Sequence, residues 1–176
     1  MRPALTLLLL LAACATQRLA ADKDLLAQGD VMRLATQPAP CADARPECRQ
    51  TQEIRAEACR RSGDLPCAIA AWQAALGPGS PRRIPLNLAA AAQDAIGTGT
   101  GDPARNAAAE LLAADALRAT DPADPAGCAH AASARLTFAL LAPPGPARCT
   151  LLAPLPAACR PVRPRPLAAA LHRSCP

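Results

Sequence analysis

Hydrophobic positions fall in clusters along this chain, separated by proline, glycine and aspartate, and within the clusters their spacing is helical. Ala4 to Ala13 is an apolar run broken only by Thr6. Asp22 to Ala35 predicts a short helix or an ordered stretch of tether, ended by Gln37-Pro38-Ala39-Pro40. Glu47 to Ser62 is mostly polar, with Cys48, Ile54, Ala56, Ala58 and Cys59 spread along it, which predicts an exposed helix. Leu65, Ile69, Trp72 and Leu76 then recur at i, i+4, i+7 and i+11, joined by Ala68 and Ala75, the stripe of a helix that buries one face. Gly77-Pro78-Gly79-Ser80-Pro81 stops it.

A third helix is predicted over Pro85 to Ile96, with Ile84, Leu88, Ala91, Ala92 and Ala95 on one side. The run Gly97 to Asp102 predicts a flexible turn. Pro103 suits a first helical position behind Asp102 as cap. The helix that follows, to Ala119, is expected to bury Ala104, Ala107, Leu111 and Ala114. Asp121-Pro122-Ala123-Asp124-Pro125 precedes a fifth helix, Ala126 to Leu141. Pro143-Pro144-Gly145-Pro146 then opens an extension holding the basic polyproline segment Pro161-Val162-Arg163-Pro164-Arg165-Pro166. Cys149, Cys159 and Cys175 would pin this extension against the helices, and a short helix is expected over Leu167 to Arg173.

Composition changes this picture in one respect. The chain is 51% hydrophobic but only 1% aromatic, with Trp72 and Phe138 alone, and alanine supplies much of the apolar total. Alanine buries little area, so a core of this kind needs additional constraints, and the nine cysteines offer them.

The N-terminus assigns one of these cysteines to a different task. Met1-Arg2 is a short basic start, Ala4 to Ala13 an apolar core, and Leu11-Ala12-Ala13-Cys14 ends it with small residues before a cysteine. This arrangement resembles a bacterial lipoprotein signal. The resemblance implies cleavage before Cys14 and diacylation of its thiol. Ala15, where lipoproteins retained at the inner membrane carry aspartate, implies export to the outer membrane. A transmembrane helix is disfavoured, since spanning needs about 20 apolar residues and Gln17 and Arg18 interrupt the run.

Setting Cys14 aside leaves Cys41, Cys48, Cys59, Cys67, Cys128, Cys149, Cys159 and Cys175, an even number that reads in an exported chain as a disulfide framework. On one helix, Cys48 and Cys59 would stand about 16 Å apart along the axis, too far to pair. Cys59 and Cys67 flank the turn-like Ser62-Gly63-Asp64-Leu65-Pro66 and would bridge two antiparallel helices. Locality in sequence favours Cys41–Cys48, Cys128–Cys149 and Cys159–Cys175 for the rest. A metal reading is weaker. No Cys-x-x-Cys occurs, and His130 and His172, although near cysteines, are expected to face solvent, so no metal and no cofactor beyond the lipid is assigned.

The stretch Gly63 to Leu76 is similar to the second helix of a tetratricopeptide repeat. Gly63 stands where that family opens its inter-helix turn, followed by Ala68, Trp72, Ala75 and Leu76, and Ala56 fits the small position of the first helix. A poorer copy has Gly97, Ala109, Ala113, Ala116 and Leu117, with the aromatic missing. The Cys59–Cys67 spacing is similar to that of cysteine-rich, exported relatives of these repeats. The resemblance implies a concave protein-binding surface made by stacked helix pairs, with Trp72 as core anchor or exposed hot spot. A generic disulfide-stapled helical bundle is the alternative.

The fold class expected is therefore all-α, a short stack of antiparallel helix pairs with a Pro-rich C-terminal extension. The organisation expected is a signal peptide over 1–13, a lipidated N-terminus and tether over 14–46, a helical repeat-like domain over 47–141 and the extension over 142–176. Catalysis is not expected, because two histidines, no tyrosine and no Gly-x-Ser-x-Gly leave little from which to build a tuned constellation. Gly97-Thr98-Gly99-Thr100-Gly101 lacks the lysine of a phosphate loop, and Glu110 and Asp115 are expected to be solvated rather than an acid pair. The net charge of +5 is too diffuse for nucleic acid but would suit anionic lipid, lipopolysaccharide or peptidoglycan. The function expected is an outer-membrane-anchored periplasmic scaffold that binds another envelope protein. A cell-wall-binding lipoprotein acting through the basic tail is the alternative, and a metal-handling periplasmic protein a third.

Overall fold

The computed structural model describes residues 17–37 and 46–159, together with residues 169, 171, 173 and 175. Among these residues the regular structure is helical and no strand occurs. In chain order the elements are α1 (17–28), α2 (Val31–Thr36), α3 (Pro46–Ser62), α4 (Leu65–Ala75), α5 (Arg83–Thr98), α6 (Pro103–Thr120), α7 (Pro125–Leu141), α8 (Pro146–Leu151) and a closing 3-10 turn, Ala157–Cys159. They form two compact units, α1–α4 up to Ser80 and α5–α8 from Pro81.

In the first unit, the single helix expected over Asp22 to Ala35 is two. Gly29 adopts φ 79°, a left-handed conformation that glycine reaches without strain, and Asp30 N–H bonds back to the Leu25 carbonyl to close α1. The turn brings Leu34 of α2 and Leu19 of α1 onto Ile54 and Ala58 of α3, with Leu25, Leu26 and Val31 packed around them. Helix α3 is consequently not the exposed helix its polar composition predicts. Packed against both α2 and α4, it buries Cys48, Thr51, Gln52, Ile54, Ala56, Ala58 and Cys59. Its polar residues are accommodated locally: the Thr51 hydroxyl donates to the Glu47 carbonyl, and Arg60 and Arg61 both reach Glu57.

In the second unit, α6 packs against both α5 and α7. The face expected on α5 is found, with Ile84, Leu88, Ala91, Ala92 and Ala95 all buried. On α6 it is not. Ala104 and Leu111 are only half-buried, and the buried set is Asn106, Ala107, Ala109, Glu110, Ala113, Ala114 and Leu117. A helix held between two neighbours buries a wide face, and alanine on nearly every side gives a narrow stripe nothing to stand out against. Near the start of α7, Gly127 allows the closest approach. A Cβ there would stand 2.8 Å from Arg118 Cγ and 3.0 Å from Leu117 Cβ.

Three helices begin with aspartate followed within two residues by proline. Asp64, Asp102 and Asp124 cap α4, α6 and α7, accepting from the backbone N–H of Cys67, Ala104 and Gly127 respectively. Asp124 does more than the others, since the Arg82 guanidinium also donates to it at 2.8 Å and its side chain is only 10% exposed. Burial alone would push the Asp124 carboxyl up. The Gly127 amide, the Arg82 guanidinium and the Ala126 amide together outweigh burial and hold it below the ordinary aspartate range. A depressed carboxylate stabilises the fold above its unfolded pKa, and that contribution is lost as pH falls through the folded value. Asp124→Ala is thus expected to cost about 1–2 kcal/mol at neutral pH, most of it from the cap, because Arg82 is 59% exposed and its ion pair is weak. Asp124→Asn, itself a good cap, should cost less. In thermal melts the gap between wild type and Asp124→Ala should narrow as pH falls below about 3.9, by the part of the cost that depends on the carboxylate charge. A gap that stays constant with pH would show that the carboxylate charge is irrelevant.

Candidate functional site

The α3–α4 pair holds the repeat-like residues. Helix α3 ends at Ser62, and Gly63 at φ 82° turns the chain sharply, with Asp64 N–H bonding to the Cys59 carbonyl. Cys59 and Cys67 face each other across that turn in a disulfide, Cα atoms 5.7 Å apart, as the flanking turn predicted. Ala56, Ala68 and Ala75 are fully or almost fully buried, and Leu76 is half-buried. Small residues at these positions let two helix backbones come close. Trp72 is 3% exposed, so of its two expected roles the structure gives it the core. Its indole Nε1–H has no hydrogen-bond partner. Of the residues expected to form a poorer second copy, Ala109, Ala113 and Leu117 are buried and Ala116 half-buried. Gly97 is not in the turn, because α5 continues through it to Thr98 and Gly99, at φ 68°, makes the reversal.

The remaining cysteines pair differently from the local scheme. Cys128 bridges to Cys159 and Cys149 to Cys175, so the Cys128–Cys149 and Cys159–Cys175 pairs are both overturned. The reason is the length of α7. Cys128 lies in its first turn, and the thirteen residues on to Leu141 carry the chain about 20 Å away. Helix α8 begins beyond that far end, and Leu152 packs there on Leu136 and Ala139. The chain then returns. Both sulfurs of the Cys128–Cys159 bridge lie 3.9 Å from the Pro122 carbonyl, before the start of α7. Cys48 is also disulfide-bonded. Cys14 and Cys41 lie outside the described residues, as do His172 and most of the helix expected over Leu167 to Arg173.

The second unit also holds a polar cluster that sequence reasoning missed. Glu110 of α6, expected in solvent, is fully buried. Its Oε1 accepts from Gln93 Nε2 of α5 at 2.7 Å and lies 3.0 Å from His130 Nδ1 of α7. Gln93 Nε2 also lies 3.3 Å from Ser133 Oγ, one turn along α7 from His130. Glu110 Oε2 has no partner. His130, also expected in solvent, has a side chain only 17% exposed. Asp115, by contrast, is exposed as expected and pairs with Arg118. The only sequence signal for the cluster is register: Glu110 falls in phase with Asn106, Ala113, Ala114 and Leu117, all on the buried face.

In the first unit a cleft of ≈ 10 Å³ is lined by Arg18, Asp22, Gln37 and Arg55 among others, room for about one water. Burial there pushes the Asp22 carboxyl up, against the opposing charge of Arg18. Among the described residues no helix is long and apolar enough to cross a membrane. The chain matches no protein-family model, and no curated protein or solved structure is significantly similar to it.

Proposed function

We propose that this chain is a lipoprotein exported to the outer membrane, cut before Cys14, lipidated there and facing the periplasm, and that it serves as a scaffold whose stapled helix pairs bind another envelope protein. The observation that carries the reading is the oxidised framework. Cys59–Cys67, Cys128–Cys159 and Cys149–Cys175 are bridged and Cys48 is disulfide-bonded, a state that suits an oxidising compartment rather than a reducing one. The signal that ends at Cys14 is the route to such a compartment, and two or three acyl chains would hold the protein there stably. The tetratricopeptide-like residues Ala56, Gly63, Ala68, Trp72, Ala75 and Leu76 build the helix pair, so a partner would contact the surface that the pair presents and not Trp72 itself.

Metabolic labelling with a palmitate analogue tests the anchor. Label should appear in the membrane fraction of wild type and vanish in Cys14→Ser. A soluble, unlabelled wild-type protein would overturn the reading. Crosslinking in cells followed by mass spectrometry should then trap one envelope protein, and Cys14→Ser should lose it through mislocalisation.

Residues 142–176 favour a second contact. They contain Arg148, Arg160, Arg163, Arg165 and Arg173 and no aspartate or glutamate, a composition suited to the anionic cell wall. Retention on peptidoglycan that falls when Arg160, Arg163 and Arg165 are changed to glutamine would support it, and unchanged retention would remove it.

A further inference from the structure

We propose that the outer face of α1 is a membrane-seating surface, held against phospholipid headgroups by the lipid on Cys14. This inference rests on the lipidation proposed above and says what the anchor does to the domain that follows it.

The starting point is how little chain separates the two. Helix α1 begins at residue 17, so only Ala15 and Thr16 lie between Cys14 and the first helical turn. Fully extended, the step from Cys14 to Gln17 spans at most about 11 Å. The tether expected over 14–46 would have let the helical domain stand well clear of the bilayer. Residues 17–28 and Val31–Thr36 are instead helices of the first unit.

Helix α1 is also not a free helix on that short lead. Leu19, its third residue, is buried and packs with Leu34 of α2 on Ile54 and Ala58 of α3. Asp22, one turn on, is buried, and the half-buried Leu25 and Leu26 join the same cluster. The grip on α3 therefore starts five residues after Cys14. A flexible linker would let the domain wander, whereas a docked helix passes the constraint of the anchor straight to α3. Turning Leu19, Asp22, Leu25 and Leu26 inward leaves Arg18, Ala20, Ala21, Lys23, Asp24 and Ala27 exposed on the other side.

The chemistry of that side sets how it meets a bilayer. Its apolar side chains are alanines, too small to bury among acyl chains as the Trp, Phe or Leu face of an interfacial helix does. Anionic headgroups attract Arg18 and Lys23 and repel Asp24, so charge alone gives only weak adhesion. The anchor decides the outcome. A short tether makes the contact intramolecular, at an effective concentration of about a millimolar or more, and a weak contact is then occupied. The face rests at headgroup level without inserting. Because α3 and α4 pack within the same unit, whatever that pair binds is met at the membrane surface.

Lys23 is the only lysine in the chain, which gives a single reporter on this face. The lipidated protein, with an amine-reactive fluorophore on Lys23 and Lys23→Arg as the blank, is reconstituted into phosphatidylethanolamine–phosphatidylglycerol vesicles that contain a lipid spin-labelled on its headgroup. The spin label should quench most of the emission. A Gly/Ser insert of about twenty residues between Thr16 and Gln17 lies outside the packed helices and adds a root-mean-square reach of about 25 Å. Quenching should then fall at least threefold. Vesicle-bound protein whose Lys23 fluorophore is not quenched, or is quenched equally with the long tether, would overturn the seat and leave the lipoprotein reading standing. Protein that does not float with the vesicles at all would overturn both.

Discussion

Trp72→Ala is expected to lower stability by about 3–5 kcal/mol, the range for deleting a large aromatic from a core. Small domains are stable by only about 5–15 kcal/mol in all, so this loss should come close to unfolding the α3–α4 pair. The size follows from what surrounds the indole. Alanine dominates the buried residues, and Ala68, Ala71 and Ala75 of its own helix cannot extend to fill the space a tryptophan leaves. Trp72→Phe provides the sharper comparison. The indole Nε1–H is buried without a partner, so phenylalanine removes an unsatisfied donor along with some volume. Trp72→Phe should therefore cost less than half as much as Trp72→Ala. Thermal melts followed by circular dichroism decide it, since the chain has no other tryptophan to report by fluorescence. A Trp72→Ala protein that melts with wild type would mean that the pair does not depend on its aromatic.

Removing the Cys128–Cys159 bridge is the second large change. Replacing both residues by alanine opens a closure spanning 31 residues, worth about 3.5 kcal/mol in the chain-entropy model. The Cys149–Cys175 closure spans 26 residues, so its entropic share is nearly the same. Burial separates the two. Cys128 and Cys159 are both 1% exposed and Cys149 and Cys175 half-buried, so the first pair also loses packed sulfur. Calorimetry should show the Cys128→Ala/Cys159→Ala protein melting lowest and Cys149→Ala/Cys175→Ala between it and wild type. The reverse order would show that the C-terminal end, rather than the start of α7, depends more on its bridge.

How much of this was readable beforehand depends on residue type. Helices ended by glycine or proline were legible: the stripe of α4, the face of α5 and the Asp102 cap of α6 all follow from local chemistry. The Cys59–Cys67 bridge was legible because both ends flank one tight turn. Alanine hid the rest. On α6 it occupies buried and exposed positions alike, so nothing local showed that Glu110 faces inward. That burial depends on α5 and α7 arriving from elsewhere in the chain with Gln93 and His130. The burial of α3 was hidden similarly, by neighbours that cover polar residues. The two C-terminal bridges depend on where a long helix puts its ends, which sequence proximity does not measure.

The crossed order of those bridges bears on how the protein is made. In the exported chain proposed above, cysteines emerge in sequence order, and Cys128 meets Cys149 before Cys159 exists outside the membrane. An oxidant acting on neighbours as they appear would seal that wrong pair first. Each of these two bridges joins a cysteine to the next but one. Correct oxidation must therefore wait for the last residues or undo an early error by thiol exchange. Synthesis of this small domain thus calls for a catalyst that rearranges disulfides as well as one that forms them.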